Sequence, residues 1–201
     1  MMYLLGMFSI AVFAITGVIA AHGKRLDIFS VVFLGVVTAL GGGTIRDLIL
    51  GQYPVYWVAD VWFLWIAAGT ALIAFFIDKS LQNRHQFLLY LDALGIALFS
   101  ITAAEKTLAL GLSASIAVVM GLITAIFGSI LRDILTGSPC LLLSNELYAT
   151  PVLIGLSVFV LLDIYFPAFV YAVPCAIALI FIFRACAIYF KWHYPKWLIS
   201  E

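Results

Sequence analysis

Seven stretches of this chain are apolar for about as long as a lipid bilayer is thick, and that property leaves few folds open. They run roughly over residues 3–21, 28–50, 58–77, 87–104, 112–135, 147–165 and 168–190. A helix needs about 20 apolar residues to cross the ~30 Å hydrocarbon layer. In lipid every backbone N–H and C=O must be satisfied within the protein, so only helices and closed barrels span it. Barrel strands alternate apolar and polar residues in units of ~10, whereas these runs are continuously apolar. The expected fold class is an all-α integral membrane protein with seven transmembrane helices. Only 10% of the residues are charged and mean hydropathy is +1.21, where a soluble domain carries roughly a quarter charged residues.

The connectors hold most of the charge: "HGKRLD", "GQYPVYW", "DKSLQNRHQ", "EKTLALG", "TGSPCLLLSNE" and "FP". Lys and Arg in short connectors favour the cytoplasmic side. One side collects Lys24, Arg25, Lys79, Arg84, Lys191 and Lys196, and the other only Lys106. The expected orientation has the N-terminus outside and the "KWHYPKWLISE" tail in the cytoplasm, which suits a multi-pass protein of the inner (plasma) membrane. Residues 1–21 contain no Lys or Arg and exceed the ~7–15-residue apolar core of a signal peptide, so they read as a permanent span. Zero net charge gives no sign of nucleic-acid binding. Cys140, Cys175 and Cys186 lack disulfide or zinc spacing. His22, His85 and His193 fall in polar connectors and read as solvated.

The chain repeats itself. "TALGGGTIRDLILG" at residues 38–51 returns as "TAIFGSILRDILTG" at 124–137. A shift of 86 aligns residues 11–51 with 97–137, and 13 of the 41 pairs are identical, among them Phe13/Phe99, Ile15/Ile101, Thr16/Thr102, Gly35/Gly121 and Thr38/Thr124. Asp60 falls opposite Glu146. The repeating unit is three spans long, which divides the chain into residues 1–86, 87–167 and a seventh helix with tail at 168–201. Three is odd, so the copies enter the membrane in opposite directions. Transport proteins use such inverted repeats, with the transport site between the halves and broken helices around it.

Gly35, Thr38, Gly42 and Arg46 are spaced to form one stripe on the second span, and Gly121, Thr124, Gly128 and Arg132 form it again on the fifth. Ala39, Gly43 and Asp47 run beside the first stripe, and Ala125, Ser129 and Asp133 beside the second. Each glycine weakens a helix interior by about 1 kcal/mol relative to alanine, so Gly41, Gly42 and Gly43 invite a kink or local unwinding. Carbonyls freed that way are tolerated at membrane depth only inside protein or beside water. Close helix packing is the other reading of such glycines. Inversion places Arg46 toward the outer face and Arg132 toward the inner one, either snorkelling or paired with Asp47 and Asp133.

Among the other polar residues, Arg184 reads as a snorkelling anchor and Thr16 and Thr102 as helix–helix hydrogen bonders. Pro174 is expected to kink the last span. Asp92 has no acidic counterpart, since Gly6 aligns with it. A buried structural hydrogen bond and a functional carboxylate both remain open for it. No HExxH, GxSxG or phosphate-binding glycine loop is present, so an enzyme is not expected, nor any cofactor or resident metal.

A duplicated three-helix unit carrying "GGGTIRD" and "FGSILRD", followed by a seventh helix, resembles the prokaryotic trimeric intracellular cation (TRIC) channel family over residues 1–190. Phe127 and Ser129 replace two glycines of the second motif. The resemblance implies a homotrimer in which each protomer holds an hourglass pore for monovalent cations, chiefly potassium. It places the first hinge at Gly41, Gly42 and Gly43, the second at Gly128 and Ser129, and charged positions at Arg46 and Arg132. Similar bacterial sequences are also described as a glycine transporter domain.

Two functions are therefore expected to compete. In a potassium-permeable channel, freed carbonyls and the hydroxyls of Thr38, Thr124, Thr44 and Ser129 replace part of the cation's hydration shell, while Asp47 and Asp133 neutralise the arginines. In a carrier of glycine or another small zwitterion, Arg46 or Arg132 holds the carboxylate bidentately. A purely structural scaffold is disfavoured, because duplicated intramembrane ion pairs are costly without a transport role.

Overall fold

The computed structural model describes residues 2–78, 84–144 and 146–195. Lys79 and Lys196, two of the cations behind the expected orientation, lie outside them. The helices are α1 (Met2–Ala20), α2 (Ile28–Ile49), the single turn α3 (Tyr56–Ala59), α4 (Trp62–Asp78), α5 (Arg84–Ala109), α6 (Ala114–Thr136), α7 (Ala149–Tyr165) and α8 (Ala172–Tyr189). A 3-10 turn, Leu141–Leu143, lies between α6 and α7. Five helices are long and apolar enough to cross a membrane. The other two spans, α4 and α7, have 17 residues each, about 25 Å at 1.5 Å per residue and the short end of what crosses. The protein is a seven-span, all-α membrane protein.

Local chemistry sets several boundaries. Asp27 caps α2, accepting hydrogen bonds from the Ser30 N–H at 2.8 Å and its hydroxyl at 3.1 Å. These bonds, the backbone one foremost, hold the Asp27 carboxyl below its ordinary range. Gly137 ends α6 in the left-handed conformation at φ 60°, which a residue without Cβ adopts freely. Pro174 sits in the first turn of α8. Proline is tolerated there because that N–H has no helical partner, so the proline begins a helix instead of kinking one. The helix α5 runs through "EKTLA", which the sequence suggested was a connector, and so carries Glu105 and Lys106 inside its last turns.

Four helices form a closed ring: α1 packs on α2, α2 on α6, α6 on α5 and α5 on α1. Outside it, α4 lies against α1 and α2, and α7 against α5 and α6. The last helix, α8, seals α5 and α7. The repeat is visible in atomic detail. A Cβ on Gly35 would meet the Ala14 carbonyl oxygen at 3.0 Å, and one on Gly121 the equivalent Ser100 oxygen at 2.8 Å. These two glycines let α2 approach α1, and α6 approach α5, with backbone on backbone. Large apolar side chains such as Phe29, Phe33, Trp65, Ile73 and Ile182 point outward, as lipid requires and water would not tolerate on this scale.

Candidate functional site

The two glycine motifs meet where α2 crosses α6. A Cβ on Gly42 would overlap the Thr124 carbonyl oxygen, and one on Gly128 would stand 2.6 Å from the Thr38 carbonyl oxygen. The contact is reciprocal, as a two-fold relation between the halves demands. Gly41 lies against Leu131, and Gly43 lies against the Tyr56 ring. The local unwinding that three glycines invite does not occur: α2 is uninterrupted over Ile28–Ile49, and α6 over Ala114–Thr136. The helix-propensity loss, about 3 kcal/mol for three glycines, is offset because each missing side chain admits a neighbour.

The hydroxyls expected to face a cation donate their protons to carbonyls of their own helices. Thr38 donates to Leu34 O at 2.7 Å, Thr124 to Met120 O at 2.6 Å and Thr44 to Leu40 O at 2.8 Å. Ser129 donates to Ile126 O and lies 2.8 Å from the Tyr148 hydroxyl. Thr16 and Thr102, expected to bond between helices, also donate within their own.

The arginine–aspartate pairs are buried and built alike. Arg46 Nε donates to Asp47 Oδ1 at 2.8 Å, and Arg132 Nε donates to Asp133 Oδ1 at 2.8 Å. The outer oxygen of each aspartate then fixes the loop that follows: Asp47 Oδ2 accepts the Tyr56 N–H at 2.9 Å, and Asp133 Oδ2 accepts the Leu141 N–H at 3.0 Å. Snorkelling is therefore not their role. The surroundings differ sharply. Asp47 Oδ1 also accepts Lys106 Nζ at 2.7 Å, so two cations share one carboxylate. Arg132 Nη1 also donates to Asp92 Oδ1 at 2.9 Å, so one guanidinium serves two carboxylates. Asp92 is 1% exposed and takes the Tyr148 hydroxyl on its other oxygen at 2.8 Å.

Arg184 is 0% exposed and does not snorkel. It donates to Leu147 O at 3.1 Å and Glu146 Oε2 at 3.2 Å, and lies over the Tyr148 ring, 4.9 Å from its centroid. The last helix is thereby tied to the Arg132 cluster through Tyr148. The sequence pattern held no sign of Tyr148 or Arg184 in this role, because neither has a matching partner in the first repeat. Lys106 was legible only as a connector charge. His22 is exposed in its connector, and Arg84 contacts its ring nitrogen there.

Two cavities face each other along the ring. One, of about 360 Å³, is lined by the start of α1, the end of α5 and Arg46, with Glu105, Lys106, Phe99 and Thr102 in its wall. The other, of about 460 Å³, is lined by the end of α1, the start of α5 and Asp133, with His22, Lys24, Arg84 and Cys140. Thr38, Thr124, Gly42 and Gly128 reach neither cavity. Between the two lie Phe13 and Phe99, ring centroids 5.3 Å apart and 1% and 5% exposed.

Fold and site define a multi-pass membrane protein with an inverted internal repeat and opposed cavities, the architecture that supports transport between halves. The chain belongs to the TRIC family: the family model described as "Glycine transporter" matches residues 3–79 and 89–164. The chain is 40% identical to a UPF0126 membrane protein of Vibrio cholerae over 77% of this chain and 65% of that protein, just under two thirds of its length. It is also 40% identical to the UPF0126 inner membrane protein YadS of Escherichia coli K12, over 77% of this chain and 75% of that one. Its fold matches the TRIC trimeric intracellular cation channel orthologue from Rhodobacter sphaeroides at a TM-score of 0.91 and 41% identity, covering 95% of this chain and 98% of that one. A prokaryotic TRIC channel crystallised in 0.5 M KCl matches at 0.88 and 28% identity, covering 96% and 98%. The family is one of membrane channels, not enzymes.

Proposed function

We propose that the protein is a passive, potassium-permeable cation channel. It works as a homotrimer in the inner membrane, each protomer holding its own hourglass route. The observation that carries this reading is the pair of opposed cavities, each with a buried ion-pair cluster beside it. The waist lies at the α2–α6 crossing, with Gly41, Gly42, Gly43, Thr44, Thr38, Gly128, Ser129 and Thr124 around it. Arg46 and Asp47 flank it on the outer side, and Arg132, Asp133 and Asp92 on the inner side. The likeness to proteins described as TRIC cation channels supports both permeation and trimerisation.

Charge balance makes cation passage reasonable beside two arginines. Each guanidinium is neutralised by its neighbouring aspartate, so neither presents a bare charge to the route. Glu105 Oε2, which has no hydrogen-bond partner among the described residues and belongs to the wall of the Arg46 cavity, offers a cation an acceptor. The repeat boundaries at 1–86, 87–167 and 168–201, the external N-terminus and the cytoplasmic tail belong to the same proposal. The test is planar-bilayer recording of purified protein in potassium chloride, with and without glycine. Unitary current steps indifferent to millimolar glycine are expected. Saturable glycine uptake into vesicles, without unitary steps, would overturn the channel in favour of a carrier.

A further inference from the structure

The helix crossing does not by itself close the route. A direct backbone contact between α2 and α6 seals one side of the four-helix ring, and the space between the cavities is left to side chains from α1 and α5. Along α1 that septum runs from Ile10, in the wall of the Arg46 cavity, to Ile19, in the wall of the Asp133 cavity, about 14 Å at 1.5 Å per residue. Phe13 projects into it from α1, and Phe99, its counterpart at the repeat offset, from α5.

The two rings are not equivalent. Phe13 is seated on Gly95: a Cβ there would stand 2.9 Å from the ring, so this glycine is what admits it. Phe13 also reaches within 3.9 Å of the Cβ position of Gly128, at the helix crossing. It is enclosed on several sides. Phe99 instead forms part of the wall of the Arg46 cavity, so its ring has open volume to swing into without disturbing the helices.

We propose that Phe13 and Phe99 form an aromatic gate on the pseudo-two-fold axis, in which Phe13 is the fixed face and Phe99 the moving one. The proposal rests on the channel reading and adds to it the residues that occlude the route. Its physics is that of a hydrophobic constriction, which excludes water and hence ions until it widens or becomes polar. Rotation of Phe99 into the Arg46 cavity breaks the ring–ring contact and opens the constriction on that side of Phe13. The α2–α6 crossing need not move.

The test compares wild type with Phe99→Leu, Phe99→Ala and Phe99→Asn in symmetric potassium chloride, with trimer formation checked by size-exclusion chromatography. Loss of an aromatic pair of ordinary strength raises the open fraction by roughly two- to tenfold, so that increase is expected for Phe99→Ala. Phe99→Asn should exceed it because it wets the constriction, and Phe99→Leu should fall between Phe99→Ala and wild type. If Phe99→Ala does not assemble, Phe99→Leu, which keeps most of the apolar volume, decides. Conducting wild type with unchanged open probability in every assembled variant sinks the gate and leaves the channel standing. A silent wild type beside a conducting Phe99→Asn supports both. Silence in all of them removes the channel reading itself.

Discussion

Replacing Gly128 by alanine puts a Cβ 2.6 Å from the Thr38 carbonyl oxygen. Carbon–oxygen contacts of this kind settle near 3.3 Å or beyond, so the helices must part by roughly 0.7 Å at their crossing. A gap of about 0.5–1 Å already forfeits a quarter to a half of the dispersion attraction between facing atoms. Overpacking of a tight site costs about 1–3 kcal/mol, and alanine returns about 1 kcal/mol of helix propensity. The expected net loss is up to ~2 kcal/mol, a fall in Tm of up to ~8 °C for a chain of this size. Gly42→Ala should be worse, since its Cβ overlaps the Thr124 carbonyl oxygen outright. Gly41→Ala should be mild, because only the end of the Leu131 side chain must turn. In Gly69→Ala nothing lies within 4 Å of the new methyl, and alanine there should be neutral or stabilising by about 0.5–1 kcal/mol. Thermal melting of the four variants in one detergent checks the order. If Gly128→Ala melts at or above wild type, the reciprocal crossing is not what the glycines serve, and a hinge becomes the better account.

Arg132→Lys should lower trimer yield and Tm far more than Arg46→Lys. Arg132 holds two carboxylates through Nε and Nη1, a fork that one ammonium does not reproduce, whereas Lys106 already shares Asp47 with Arg46. Arg184→Met should release Tyr148 and strand the Leu147 carbonyl and Glu146 carboxylate, a loss of about 1–3 kcal/mol for the buried group left unpaired that chemical denaturation would reveal. Cys140 is in the wall of the Asp133 cavity, so an impermeant thiol reagent applied on the cytoplasmic side should reduce potassium current in wild type and not in Cys140→Ser. Block only from the opposite side would reverse the orientation drawn from the Lys/Arg bias.

Much of the fold was legible because lipid permits so little. Continuous apolar runs fixed helices, an odd repeat fixed their inversion, and the two small-residue stripes named residues that do meet at one crossing, Thr38 on Gly128 and Gly42 on Thr124. What misled was the treatment of glycine as an isolated helix breaker. Helix propensity is local, while the Thr124 carbonyl that makes Gly42 necessary lies far along the chain. The same limit hid Tyr148 and Arg184, whose roles exist only because α7 and α8 close on α5. Glu105 and Lys106 were read as loop charges by their polarity, although α5 continues through them and brings Lys106 onto Asp47.

The duplication is symmetric in backbone and antisymmetric in charge, and this has a measurable consequence. On one side Arg46 and Lys106 share Asp47; on the other Asp92 and Asp133 share Arg132. Within these two clusters the charges without a counterpart are Lys106, which aligns with Ala20, and Asp92, which aligns with Gly6. The Arg46 cluster therefore holds one excess positive charge, set against Glu105 in the wall of the same cavity, and the Arg132 cluster holds one excess negative charge. The Lys106 side chain is 32% exposed, so water-like screening applies, and a unit charge at 4 Å is then worth about 1 kcal/mol, or roughly fivefold in local cation concentration. Lys106→Met should raise potassium conductance for current entering through the Arg46 cavity by up to about that factor. Asp92→Asn, which keeps an oxygen for Arg132, should lower it for current entering from the other side. The Debye length falls from about 10 Å at 0.1 M salt to about 3 Å at 1 M, so the Lys106→Met effect should fade in concentrated potassium chloride. Current–voltage curves at both salt concentrations decide the matter. If Lys106→Met leaves them superimposable with wild type at low salt, Lys106 does not face the permeation route, and the Arg46 cavity is not its mouth.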